Sequence, residues 1–108
     1  LMPVFSSFMA IFLLNEKLMN QASSLLLGTK DFNAFCKFRA DQSTVRTLQE
    51  FSWKRIEGEL IATVRADSFC YSMVRNLVGA AVCVGEGRYE KDWILLHVYE
   101  HPIYRVLV

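Results

Sequence analysis

The sequence predicts an α+β domain in which helices cover mainly one face of an antiparallel β-sheet. Three observations carry that prediction. Leu14, Leu18, Ala22, Leu25 and Leu26 recur at helical spacing ahead of Gly28. From Ser43 to Asp67 the pattern changes to period two and breaks at Glu57-Gly58. Phe69–Gly87, reading FCYSMVRNLVGAAVCVGEG, then has the composition of a mostly buried helix.

The opening LMPVFSSFMAIFLL is apolar enough to mimic a signal-peptide core, yet it lacks a basic flank and is too short to span a bilayer. It reads as an internal segment of a longer parent chain, with a buried strand as its expected form. Asn15 supplies an N-cap and Gly28 a C-terminal stop for an amphipathic helix of about three turns. Asp31 then caps a short turn that puts Phe32 and Phe35 on one side, with Lys30, Lys37 and Arg39 around it. Two roles are open to this segment. It is either a hydrophobic anchor with solvated lysines, or a surface where aromatics and cations meet RNA by stacking and phosphate contact.

In the period-two region Val45, Thr47, Gln49, Phe51 and Trp53 alternate with Arg46, Leu48, Glu50, Ser52 and Lys54. After Glu57-Gly58, Leu60, Ala62, Val64 and Ala66 share one face and Ile61, Thr63, Arg65 and Asp67 the other. Two antiparallel strands joined by a tight turn follow. Arg46 and Arg65 are expected on the exposed face, as part of a solvated surface or as phosphate contacts. Gly85-Glu86-Gly87-Arg88 is too short for a G-x-G-x-x-G phosphate loop and follows a helix, so it reads as a cap and turn. Tyr89–Glu100 is a further predicted helix, ended by Pro102, and Arg105–Val108 reads as the first half of a strand.

At 108 residues, 53% hydrophobic, one domain is expected. The formal net charge of +1 excludes a global field for polyanions, so nucleic-acid binding would need a local basic surface. Cys36, Cys70 and Cys83 form no C-x-x-C pair. Their odd number argues against a disulfide framework or a zinc site and fits a reducing cytoplasm.

Between Ser68 and Val84 the only Asp, Glu, Lys or Arg is Arg75. At 100° per residue it shares a stripe with Tyr71, Val78, Gly79 and Val82, none of which belongs to a solvated face. A guanidinium placed so either pairs with an anion from elsewhere or snorkels to a rim while Gly79 aids helix packing. His97-Val98-Tyr99-Glu100-His101 is a literal H-x-x-E-H, the inverzincin zinc-protease pattern. Pro102 disfavours the helical geometry that His101 would need, and seven residues remain for a third ligand, so a zinc hydrolase is the remote alternative.

Phe69-x-x-x-Met73-Val74-Arg75-Asn76-Leu77-Val78-Gly79 resembles the F-x-x-x-M-V-R-N-(I/L)-V-G motif of TruA-type tRNA pseudouridine synthases. Gly28-Thr29-Lys30-Asp31-Phe32-Asn33-Ala34-Phe35-Cys36-Lys37 is similar to that family's G-x-x-D-F-x-(A/S)-F-C-K segment. Thr44-Val45-Arg46-Thr47-Leu48 is similar to its T-V-R-T-(I/L) strand. Order and spacing agree from about Leu14 to Val108, and residues 1–13 match least well.

The resemblance implies isomerisation of uridine to pseudouridine in the tRNA anticodon stem-loop, without metal or organic cofactor, by a homodimeric cytoplasmic enzyme. Its nucleophile is an aspartate in an arginine-threonine-aspartate segment of the first half. Asp31, Asp41, Asp67 and Asp92 do not align with it, so the chain resembles the second half alone, truncated at both ends. A missing N-terminal domain is therefore an implied partner. Arg75 would pair with its aspartate, with Phe69, Met73, Asn76 and Gly79 supporting the pocket. Lys30, Lys37, Arg39, Arg46 and Arg65 are the candidate RNA contacts. The family also continues beyond Val108 with an Ala-Pro-x-x-Gly-Leu stretch that helps line the base pocket. A non-catalytic RNA-binding or interaction domain is the alternative function.

Overall fold

Asn15 caps the first helix in the computed structural model, which describes residues 13–37 and 42–99, with side chains as far as Leu96. Its Oδ1 accepts a hydrogen bond from Leu18 N at 3.0 Å, satisfying one of the amides that a helix start leaves open. Helix α1 spans Glu16–Leu25 and buries Met19, Ala22 and Ser23. The predicted lead strand, Pro102 and the terminal strand lie outside the described residues.

The sheet has three antiparallel strands in the order β1-β2-β3: Gly28–Asp31, Val45–Ile56 and Glu59–Ala66. The α+β expectation is met, with helices packed against the sheet. Strand β1 is an addition to the sequence reading, which gives this stretch only a turn. Four residues carry too little periodicity to declare a strand, and pairing of Gly28 with Leu48 through Asp31 with Val45 creates it. Glu57 and Gly58, at φ 50° and 80°, make the β2–β3 turn, in which positive φ at both central residues matches the twist of the strands.

One face assignment needs correction. A register shift between Leu48 and Glu50 inserts an extra residue in β2, so the alternation changes phase. Leu48, expected on the opposite face, is buried with Phe51 and Trp53, whereas Val45 and Gln49, expected to share the face of Phe51 and Trp53, are exposed. Arg46 consequently lies on the Leu48 side of the strand and Arg65 on the opposite one. The two arginines do not share a face.

Beyond Leu48, β2 has no neighbour in β1, and side chains of α1 take over that edge. Asn20 Nδ2 donates to Trp53 O at 3.0 Å, its Oδ1 accepts from Trp53 N at 2.7 Å, and Glu16 Oε1 accepts from Arg55 N at 2.9 Å. A strand edge is thereby satisfied by a helix. Replacing Asn20 with alanine would strand both polar groups of Trp53, at a cost of about 1–3 kcal/mol for each that stays dry. Urea denaturation is expected to show a loss of that order, and an Asn20→Ala midpoint equal to that of the native chain would show that water replaces the amide.

Helix α2, Met73–Gly85, is buried along nearly all of its length beyond Asn76. Its C-terminus is closed as Gly85–Arg88 predicts. Gly87 adopts φ +80°, Gly87 N donates to Val84 O and Arg88 N to Cys83 O, which together form a Schellman cap. Gly85 serves a different end. A Cβ there would stand 2.5 Å from Met19 Sδ, so the missing side chain lets α1 close on α2, and Asn15 N donates to Gly85 O at 3.0 Å. Helix α3, Trp93–Tyr99, starts later than predicted because residues 88–92 reverse the chain, with Tyr89 stacked on Trp93 at 4.1 Å. No helix among the described residues is long and apolar enough to cross a membrane.

Candidate functional site

The chain reaches α2 through Ser72, whose φ of 67° turns the backbone sharply into the helix and whose side chain makes no cap. Arg75 is therefore in the first turn of α2, where the helix dipole is positive and favours an anion. Lys37 N donates to Tyr71 O at 2.8 Å, Lys37 Nζ stands 5.3 Å from the Tyr71 ring centre, and Asn76 Nδ2 donates to Phe35 O at 2.9 Å. These contacts bind the turn at Asn33–Phe35 to the start of α2.

Enclosure of Arg75 among aliphatic neighbours is not what the structure shows. Arg75 is exposed and so is Tyr71, whereas Val78, Gly79 and Val82 on the same stripe are buried. In the first turn of α2 only one side is covered, since Met73 is fully buried while Arg75 is exposed, whereas every residue from Leu77 to Gly85 is buried. Of the other pocket residues, Met73 is fully buried, Gly79 is buried, Asn76 is half-buried and Phe69 is 42% exposed. Among the described side chains, then, Arg75, Asn76, Lys37 and Tyr71 gather at one end of α2, with Met73 beneath them in the core and Phe69 outside. The sequence reading does not include Tyr71 or its ring contact with Lys37 among the site features. Its place on the Arg75 stripe was the available signal.

Of the candidate RNA cations, Lys30 and Arg46 are cross-strand partners on β1 and β2, whereas Arg65 is on β3 and Lys37 is beside Tyr71. Lys30 Nζ donates to Leu27 O, and Arg46 Nη1 donates to the carbonyls of Ser43 and Val45. Arg65 lies 3.8 Å from Glu50 in an exposed ion pair. Arg39 is outside the described residues, as are Glu100 and His101 of the H-x-x-E-H pattern. A surface cleft lined by Leu18, Gln21, Arg88 and Tyr89 opens near the opposite end of α2 and includes none of the predicted site residues.

Cys36 and Cys70 contradict the expectation of unpaired cysteines. They are joined as a disulfide, with Cα atoms 5.6 Å apart, and Cys83 is free. Spacing along the chain gave no sign of this, because the pairing arises where the Asn33–Phe35 turn meets the approach to α2.

Asp67 closes the sheet near Arg46. Thr47 N and Ser68 N both donate to its Oδ1, at 3.0 and 2.8 Å, and with the charge of Arg46 they hold the carboxyl below the usual carboxylate range. A carboxyl whose folded-state pKa is depressed contributes stability above its unfolded pKa and loses it as pH falls through the folded value. The stability difference between the native chain and Asp67→Asn is thus expected to shrink as pH drops below about 3.9. A difference that stays constant in acid unfolding would contradict that role.

Residues 22–101 match the profile of the tRNA pseudouridine synthase family. The chain belongs to that family. It is 51% identical over 77 residues to tRNA pseudouridine synthase A of Streptomyces griseus, 49% over 79 residues to that of Cutibacterium acnes, and 54% over 71 residues to that of Leifsonia xyli. These matches cover 69%, 70% and 65% of this chain but 27%, 28% and 25% of the relatives. The chain spans about a quarter of the length of the curated relatives it matches. The family match includes the three motif segments and hence the gathering of Lys37, Tyr71, Arg75 and Asn76.

Proposed function

We propose that this chain is the arginine-bearing part of a cytoplasmic tRNA pseudouridine synthase that converts uridine to pseudouridine in the anticodon stem-loop. The observation that carries the reading is the coincidence of Arg75 with the uncapped, positive end of α2 inside the family-matched region. A carboxylate brought to that end from another portion of the polypeptide would be held ionised and oriented by the guanidinium and the helix dipole together. The target uridine leaves its stack, its glycosidic bond breaks beside the carboxylate, and the base turns and rejoins through carbon. Arg75 positions the carboxylate during these steps.

The four aspartates of this chain lack an arginine-threonine-aspartate context, so the nucleophile comes from the missing N-terminal domain. The complete enzyme is a homodimer in this reading. The 108-residue chain by itself is expected to release no pseudouridine from unmodified tRNA, and addition of the N-terminal domain in trans or in one polypeptide is expected to restore turnover. Product formed by the chain alone, detected by nucleoside mass analysis, would refute the assignment.

A further inference from the structure

We propose that Cys36 and Cys70 are a reversible thiol–disulfide couple that staples the Asn33–Phe35 turn to the N-terminal end of α2. Their Cα separation of 5.6 Å lies inside the range that a disulfide spans without backbone movement. The two segments do not rely on the covalent link to meet. Lys37 N donates to Tyr71 O on one side of the pair, and Asn76 Nδ2 donates to Phe35 O on the other. The thiol form also has a place, since Cys36 Sγ lies 3.0 Å from Phe32 O, an acceptor for its S–H. Both redox states therefore fit the same fold.

Access favours one sulfur over the other. Cys70 is 8% exposed and lies between Phe69 and Tyr71, both open to solvent, while Cys36 is 2% exposed beneath the turn. With a peroxide as oxidant, the Cys70 thiolate attacks one oxygen, the O–O bond breaks, and Cys70 becomes a sulfenic acid as the first water forms. The Cys36 thiol then attacks that sulfur, the S–S bond forms, and the sulfenic oxygen leaves as the second water. The two thiols lose two electrons and two protons to the peroxide. A dithiol returns both and reopens the bond. Cys83 is an internal control: it is buried on α2, its burial raises the thiol pKa, and it is not joined to the pair. In a reducing compartment such a couple is transient and responsive instead of permanent. Closed, it makes the turn bearing Lys37 and the helix end bearing Arg75 one rigid piece; open, it lets them separate in local fluctuations.

The test is stoichiometric hydrogen peroxide on the full chain, followed by intact mass and non-reducing peptide mapping. Expected are a loss of ~2 Da, a cross-linked peptide holding Cys36 and Cys70, and a Cys83 that reacts with N-ethylmaleimide only after unfolding. The link should form about tenfold or more faster in native buffer than in concentrated urea, because the fold supplies the proximity. Oxidised protein should melt several degrees above dithiothreitol-reduced protein, a gap that Cys70→Ser and Cys36→Ala both lack. Oxygen addition without a cross-link, a bridge through Cys83, or equal rates in urea would overturn the proposal.

Discussion

Replacing Arg75 with alanine in the assembled synthase is expected to lower turnover by a factor on the order of 10³ while leaving most of the tRNA affinity. The expectation follows from where the charge is placed. An arginine used for phosphate anchoring alone would act on ground state and transition state alike, so its loss would appear in affinity and rate together. An arginine that holds a reacting carboxylate contributes where that group attacks and departs. Arg75 is exposed in the first turn of α2, whereas Met73, Leu77 and Val78 anchor the same helix in the core, so the substitution leaves the fold intact. Arg75→Lys is expected to recover part of the rate, since it restores charge but not the planar fork. Single-turnover rate and filter-binding affinity measured on the same preparation decide the matter, and parallel losses in both would assign Arg75 to phosphate binding.

The largest stability effect is expected at Phe35. Its side chain is 1% exposed and tilted against Phe32 with ring centres 6.2 Å apart, and its carbonyl receives the Asn76 amide. Truncation to alanine should cost about 3–5 kcal/mol. Against a total stability of about 5–15 kcal/mol, that is enough to unfold a marginal domain. Phe69→Ala provides the contrast, because Phe69 is 42% exposed and surface substitutions usually fall within about 0.5 kcal/mol. Urea midpoints for the two variants are expected to differ widely, and equal midpoints would mean that Phe35 does not anchor the turn.

Much of this architecture was legible because it follows from local rules. Asn15 and Gly87 announce where helices start and stop through cap chemistry, and Glu57-Gly58 announces a hairpin through its turn conformation. Strand β1 was not legible, being four residues made by pairing with β2. The alternation predicts the faces of Phe51 and Trp53 correctly and those of Arg46 and Leu48, before the bulge, in the wrong phase, since an inserted residue leaves the composition unchanged and reverses the faces. The site was legible in part: the motif singled out Arg75 and Asn76, and the structure places both at the end of α2. The exposure of Arg75 was not legible, because which side of the first turn the neighbouring elements cover is set by packing.

The sequence by itself determined the family and the α+β class and singled out Arg75, since each depends on residue identity and on spacings within one element or motif. Only the tertiary structure decided that α1 closes the edge of β2 through Asn20 and Glu16, that Arg75 faces solvent, and that Cys36 meets Cys70. Each of these depends on groups 33 to 39 residues apart, or on which side of a helix turn its neighbours cover. The physical reason is the same in all three: through-space distance is set by packing, and local sequence pattern carries no record of it.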